Sequence, residues 1–169
     1  MKNPVFDTLP GHADCWLYVA DRMLSADEVE ELNGLFQSFE RDWSSHGRKV
    51  IGACEVVDGR LVVVAAHVQQ GDISGCGIDK SLHLLQQIAE NRGFTWASAL
   101  NTVYRDANGS LQVATRKEFK QAAATGEISE DTLVVDLSIR SLEALRSGGL
   151  ERRVRDSWHS MLLPAATAL

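Results

Sequence analysis

The sequence predicts an α+β fold, and three local patterns carry that prediction. Residues 15–20 are rich in the aromatic and β-branched side chains that suit a half-buried strand. Ser25 and Glu28 have the spacing of a capping box at the start of a helical pattern. Asp58-Gly59 separates two apolar runs, as in a β-hairpin. The chain has 169 residues, enough to bury a core without a metal or a disulfide, so we expect a single domain over residues 1–169.

The first helix is predicted over residues 26–46. Its apolar residues recur at helical spacing and would form one buried stripe. His46 followed by Gly47 is typical of a helix C-terminus, because glycine readily adopts the left-handed conformation that ends a helix. The stripe comprises Val29, Leu32, Leu35, Phe36, Phe39 and Trp43.

The predicted hairpin joins residues 50–57 to residues 60–68 through a two-residue turn. Pairing outward from the turn defines two faces, of which one is small and apolar and is expected to be buried. On that face Val56 lies opposite Leu61, Cys54 opposite Val63 and Val50 opposite His67; the other, mixed face carries Glu55, Arg60, Val62 and Val64.

A second helix is predicted over residues 78–92, which completes the order β-α-β-β-α. That order is the start of a ferredoxin-like split βαβ arrangement, so we expect a two-layer sandwich. The rest of the chain would add further elements to this core. They are a hairpin of residues 101–106 and 110–115, a helix over 116–125, a strand over 132–137, a short helix over 141–147, and a tail, 148–169, packed back on the domain.

The composition of the chain argues against three classes of partner: nucleic acid, membranes and cofactors. Acidic residues exceed basic ones by 23 − 17, so the net charge is −6, and such a surface repels nucleic acid. The N-terminus lacks an apolar signal core and no apolar run approaches a membrane span, so we expect a cytoplasmic protein that does not bind membranes. The three cysteines and five histidines lack disulfide or ligand spacing, so neither a metal nor another cofactor is expected.

The segment from Gly71 to Ser81 is the strongest candidate site, because a glycine-rich loop opens directly into a helix. Free N–H groups and the helix dipole at such a start can hold an anion, and they also favour the thiolate form of a cysteine. The alternative is that the glycines only shape a tight loop, that Ser74 or Asp79 caps the helix, and that the cysteine is buried and inert. The candidate ligand-binding residues here are Ser74, Gly75, Cys76, Gly77, Asp79 and Ser81.

Cys76 is also the candidate nucleophile of a thiol enzyme. Cys76, Asp79 and His83 would share one side of an extended helix, but seven helical residues span about 10 Å, too far for a direct hydrogen bond. The base would then come from another segment, such as His46 or His159. Trp158 and His159 are included among the candidate ligand-binding residues as part of the tail, and His46 as the end of the first helix.

Four segments together resemble a family of small uncharacterised bacterial proteins that often carry the label "ABC transporter ATPase". They are Trp16-Leu17-Tyr18, Trp43 with His46-Gly47, Ser74-Gly75-Cys76-Gly77-Ile78-Asp79-Lys80-Ser81, and Ser157-Trp158-His159-Ser160. The family usually has serine at the position of Gly77 and arginine at that of Met161. The resemblance implies no defined activity, and the chain lacks the P-loop that an ATPase of this kind requires.

Three functional hypotheses follow from these patterns. The first is a binding module that recognises a small anion or a protein partner through the loop around Cys76. The second is a cysteine-dependent hydrolase or transferase with Cys76 as nucleophile. The third is a structural homodimer without a small-molecule site.

Overall fold

The computed structural model describes residues 5–164, which form two compact units. Unit 1 contains the chain up to Trp96 together with Ser138–Ser147, and unit 2 contains Ala97–Leu137 and the chain from Gly148. The prediction that residues 1–169 form a single domain stays a prediction. Residues 165–169 of the predicted tail lie outside the described residues.

Unit 1 is built on a three-stranded antiparallel sheet. Its strands are β1 (Asp14–Val19), β4 (Ile51–Val57) and β5 (Leu61–His67), in the order β1-β5-β4. Central β5 pairs Ala65 with Cys15 on one side and with Ala53 on the other. All six residues from Leu61 to Ala66 are buried, so the central strand is covered on both faces.

Two long helices and two short ones accompany this sheet. The long helices are α2 (Ala26–Asp42) and α3 (Gly75–Arg92), and the short ones are α1 (Val5–Thr8) and α5 (Leu142–Ala144). Ser25 caps α2 through the predicted capping box, in which its side chain accepts from the Glu28 N–H. A core forms between the long helices and the sheet; its fully enclosed members include Leu32, Phe36, Trp43, Val62, Val64 and Leu85.

The β4–β5 hairpin differs from the predicted register by one residue. Val57 pairs with Leu61 and Cys54 with Val64, so three residues form the connection instead of two. The third is Arg60, whose backbone carbonyl accepts from the Ala20 N–H and whose Nε donates to the Ala20 carbonyl at 2.9 Å. Arg60 thus belongs to the connection, where it is bonded to Ala20. With this register, Val62 and Val64 lie in the helix-facing core and not on a mixed face.

The first helix ends four residues earlier than predicted, at Asp42. The next residues form a small hairpin of β2 (Ser44–Ser45) and β3 (Arg48–Lys49), referred to below as the β2–β3 hairpin. Its turn residues, His46 and Gly47, have φ values of 50° and 74°. Positive φ at both central positions is the signature of a type I′ turn, so His46-Gly47 closes a hairpin and does not end a helix.

Unit 2 has a four-stranded antiparallel sheet in the order β7-β6-β8-β9. A core of Tyr104, Phe119, Val134, Val154 and Leu162 lies within it. Residues of the predicted tail supply one strand and a 3-10 turn, Trp158–Leu162. The elements are β6 (Thr102–Arg105), β7 (Leu111–Ala114), α4 (Arg116–Ala124), β8 (Leu133–Val135) and β9 (Glu151–Arg153).

The molecule is thus a mixture of helices and antiparallel sheets, which confirms the predicted α+β class. Among the described residues, no helix combines the length and the apolar character that crossing a membrane requires.

Candidate ligand-binding site

The start of α3 is fixed in place by Trp43, a buried side chain from the segment after α2. The Trp43 indole Nε1 donates to the Gly77 carbonyl oxygen at 2.8 Å. On its other side the indole packs on the backbone of β4, where a Cβ at Gly52 would lie 2.5 Å from Cζ3 of Trp43. Trp43 therefore ties the first turn of α3 to the sheet.

A pair of serine hydroxyls joins the β2–β3 hairpin to the same helix start. Ser74 is the N-cap of α3, and its Oγ accepts from the Gly77 N–H at 3.2 Å. The Ser45 Oγ accepts from the Ser74 N–H at 2.8 Å and donates to the Ser74 Oγ at 2.9 Å. The Ser74 oxygen thus accepts from the Gly77 N–H, and one of the two hydroxyl protons of the Ser45–Ser74 pair remains to be donated.

Three donors at this helix start have no acceptor among the described residues. They are one hydroxyl of the Ser45–Ser74 pair and the backbone N–H groups of Gly75 and Cys76. Gly75 and Cys76 are exposed, and the helix dipole places partial positive charge at this end of α3. Such an arrangement can donate three hydrogen bonds to an anion.

Two cations lie on the segments that flank these donors. Lys80 Nζ donates to the Ser44 carbonyl at 3.1 Å, and Arg48 donates to the Gln70 carbonyl. Both side chains are exposed, as are the acidic Asp72 and Asp79. The local charge is therefore balanced, and the helix start itself supplies the preference for a negative ligand.

Cys76 lies at the edge of an open groove of about 570 Å³ that also contains Asp79 and His83. The helical phase places these three residues on one side, as predicted, because α3 begins at Gly75 and not at residue 78. Within the described part of the chain no hydrogen bond joins Cys76 to a histidine. The groove supplies an accessible thiol without an assembled base.

The other predicted loop residues have structural roles. A Cβ at Gly77 would lie 2.9 Å from Cγ2 of Ile73 and 3.1 Å from the Ser45 Cβ, so glycine admits the β2–β3 hairpin. Ser81 is fully buried, and its hydroxyl donates to the Ile78 carbonyl at 2.7 Å. His46 is exposed in the turn of the β2–β3 hairpin.

Trp158 and His159 belong to unit 2. His159 is buried, and its ring stacks on Trp158 with 3.9 Å between ring centroids. Burial lowers the pKa of His159, and Arg116 lowers it further, against the opposing effect of Asp136. The Arg116 guanidinium lies over the Trp158 ring at 5.2 Å. Trp158 and His159 therefore both have partners within unit 2.

Sequence reasoning missed Ser45 and underestimated Trp43. The helical stripe and the family resemblance both include Trp43, but neither predicts its hydrogen bond, which spans 34 positions of the chain. The pairing of Ser45 with Ser74 spans 29 positions. The one local signal was the dipeptide His46-Gly47, which also fits a type I′ turn and would have placed Ser45 in a hairpin.

Among the described residues, no group of three or more histidine, cysteine, aspartate and glutamate side chains is arranged to hold a metal ion. The chain was compared with protein-family models, with curated proteins and with solved structures, and none of them matches it.

Proposed function

We propose that the protein is a binding module that holds a small anionic ligand at the start of α3. The observation that carries this proposal is the set of three unused donors, one hydroxyl of the Ser45–Ser74 pair and the N–H groups of Gly75 and Cys76. Ser45 and Trp43 hold the turn rigidly, so little conformational entropy is lost when a ligand binds. Phosphate, sulfate and carboxylate groups are the chemical classes that fit.

The test compares two helix starts of the same chain. In Ser74→Asp the carboxylate still caps α3, since aspartate is a good N-cap, but its charge repels an anion. Ser25→Asp makes the same change at α2 and is the matched control. Melting temperatures are measured with inorganic phosphate, sulfate and acetate, against potassium chloride at equal ionic strength.

We expect at least one of these anions to raise the melting temperature of the wild type and of Ser25→Asp, but not that of Ser74→Asp. A ligand at ten times its dissociation constant stabilises the folded state by about 1.4 kcal/mol. The proposal fails if no anion stabilises the wild type beyond the chloride control, or if Ser74→Asp responds equally.

The cysteine-dependent hydrolase or transferase remains an alternative proposal, supported by the exposure of Cys76. The rate of Cys76 alkylation against pH distinguishes it from the binding module. A midpoint near pH ~8.5, that of an ordinary thiol, counts against an enzyme.

Light scattering distinguishes the structural homodimer from the binding module and from the thiol enzyme, since a monomer in solution excludes the homodimer.

We further propose that unit 1 is a ferredoxin-like core and that the chain belongs to the bacterial family it resembles. The order β1-β5-β4 supports the first proposal, because β1 and β4 flank β5 antiparallel to both, as in a split βαβ unit. The second proposal concerns a family that usually has serine where this chain has Gly77. In this chain, a serine at position 77 would have to displace Ile73 or Ser45. A cytoplasmic location and the absence of nucleic-acid binding are proposed on the charge and composition of the chain.

A further inference from the structure

A second concave surface of unit 1 lies between α2 and the edge strand β4. This groove has a volume of about 730 Å³, within the range of pockets that bind ligands. Val29 and Phe36 of α2 and Val56 of β4 give it an apolar lining. It shares no lining residue with the groove beside Cys76.

Gly34 lines this groove from the middle of α2, and the fold does not explain why it is glycine. A Cβ at position 34 would meet nothing within 4 Å, and its φ is not in the left-handed region. Glycine is a poor helix former, so its presence in a helix interior disfavours the helix. Gly52 is different, because there the ring of Trp43 occupies the space of a side chain. What the missing side chain at position 34 does provide is an open groove.

The charge of the groove favours a cationic partner. Of the side chains that line it in the described part of the chain, three are glutamates and none is basic: Glu30, Glu40 and Glu55. Glu40 is 3.5 Å from the Lys49 ammonium and is partly neutralised. A symmetric dimer through this surface would place the acidic side chains of one copy against those of the other, which like-charge repulsion disfavours.

We propose that this groove binds a basic peptide segment that inserts one apolar side chain beside Gly34. The inserted side chain, of the size of leucine, packs on Val29, Phe36 and Val56. A lysine or arginine residue next to it lies near Glu30. The partner is therefore a protein or peptide with a cationic segment interrupted by a single leucine, methionine or phenylalanine.

The test uses the full chain and three fluorescently labelled peptides, measured by fluorescence anisotropy at low salt. The first is Lys-Lys-Leu-Lys-Lys, the second replaces its leucine with serine, and the third replaces its lysines with glutamates. We expect saturable binding of the first peptide, at least tenfold weaker binding of the second, and no binding of the third. Equal binding of the first two would show only non-specific attraction to an acidic protein and would overturn the proposal, as would no binding of the first.

Two pairs of variants locate the binding. Gly34→Leu fills the groove from an open position, and we expect it to weaken binding of the leucine peptide at least tenfold while the protein melts no lower than the wild type. Gly34→Ala is its control, because a methyl group leaves most of the groove open and binding should persist. Glu30→Gln is expected to weaken binding severalfold and to reduce its salt dependence, whereas Glu90→Gln, exposed on α3, should change neither. Unchanged binding by Gly34→Leu would place the peptide elsewhere and contradict the proposal.

Discussion

The three thiols of this chain differ in chemistry because they differ in burial. Cys15 is completely buried, and desolvation raises its pKa to about 11. Burial raises the pKa of Cys54 as well. Cys76 is exposed on the first turn of α3. Since the thiolate is the reactive form, the three residues should react at very different rates with an alkylating reagent.

We therefore expect iodoacetamide to modify the native protein once, at Cys76. Mass spectrometry of the intact protein near pH 8 should show a single adduct, and peptide mapping should place it at that residue. After unfolding in urea, Cys15 and Cys54 should react too, and this denatured sample is the control. Modification of either in the native state at a rate similar to that of Cys76 would contradict the burial described here.

His159 should make unit 2 sensitive to mild acid. Burial lowers its pKa in the folded state, whereas in the unfolded chain the pKa is about 6.5. The folded state therefore binds the proton less readily, so the stability is complete above pH ~6.5 and falls as the pH decreases toward the folded-state pKa. Urea unfolding at pH 7.5 and 5.5, followed by tryptophan fluorescence, measures the loss.

His159→Gln is the matched variant for this prediction, because it removes the titration and leaves the other histidines in place. We expect the wild type to lose more unfolding free energy than His159→Gln between the two pH values. If both proteins lose the same amount, another group is responsible.

At the scale of single elements, local signals predicted the start of α2 correctly, whereas α3 begins at Gly75, three residues before the predicted residue 78. Ser25 and Glu28 form the predicted capping box, and Ser74 caps α3 as one of the two residues considered. These signals act over three residues, so the sequence displays them directly. The end of α2 was predicted wrongly, because Trp43 and Ser45 bond to residues about thirty positions away.

The hairpin register shows the same limit. Asp58-Gly59 correctly marks the turn, with φ values of 50° and 63°. The register then depends on Arg60, which bonds to Ala20, a residue 40 positions earlier. No pattern within the hairpin reports that contact, and an error of one residue exchanges its two faces.

Alanine substitutions at two glycines, Gly52 in β4 and Gly34 in α2, should change the stability of the protein in opposite directions. In Gly52→Ala the new methyl group would collide with the buried ring of Trp43, and we expect a loss of about 1–3 kcal/mol of stability. In Gly34→Ala the methyl group meets open space in a helix interior, and we expect a gain of about 1 kcal/mol. Urea unfolding measures both. A gain in stability for Gly52→Ala would show that Trp43 does not rest on the β4 backbone.

At the scale of the whole molecule, unit 1 depends on a segment that returns from far along the chain. The Cys15 N–H donates to the Arg140 carbonyl at 2.9 Å, and the Leu142 N–H donates to the Ala13 carbonyl at 3.0 Å. Arg146 reaches the Leu9 carbonyl at 2.9 Å. The sequence predicts a short helix over residues 141–147. It does not predict that this helix packs beside residues 9–15, because no periodic pattern links the two segments.

We expect Leu142→Ala to destabilise the protein by about 2–5 kcal/mol, because this side chain is fully buried in the returning segment. Hydrogen exchange should accelerate at the amides of Cys15 and Leu142, whose bonds join the two stretches. Glu143→Gln, at an exposed neighbour, should leave stability within about 0.5 kcal/mol of the wild type. Unchanged exchange in Leu142→Ala would contradict the pairing of the segment with residues 9–15.

The return of Ser138–Ser147 to unit 1 also bears on how the chain is made. A ribosome releases the N-terminal strand β1 long before Arg140 and Leu142 emerge to bond with it. Unit 2 likewise cannot complete its sheet until β9 has been synthesised. Neither unit can therefore finish folding during translation of the first 137 residues.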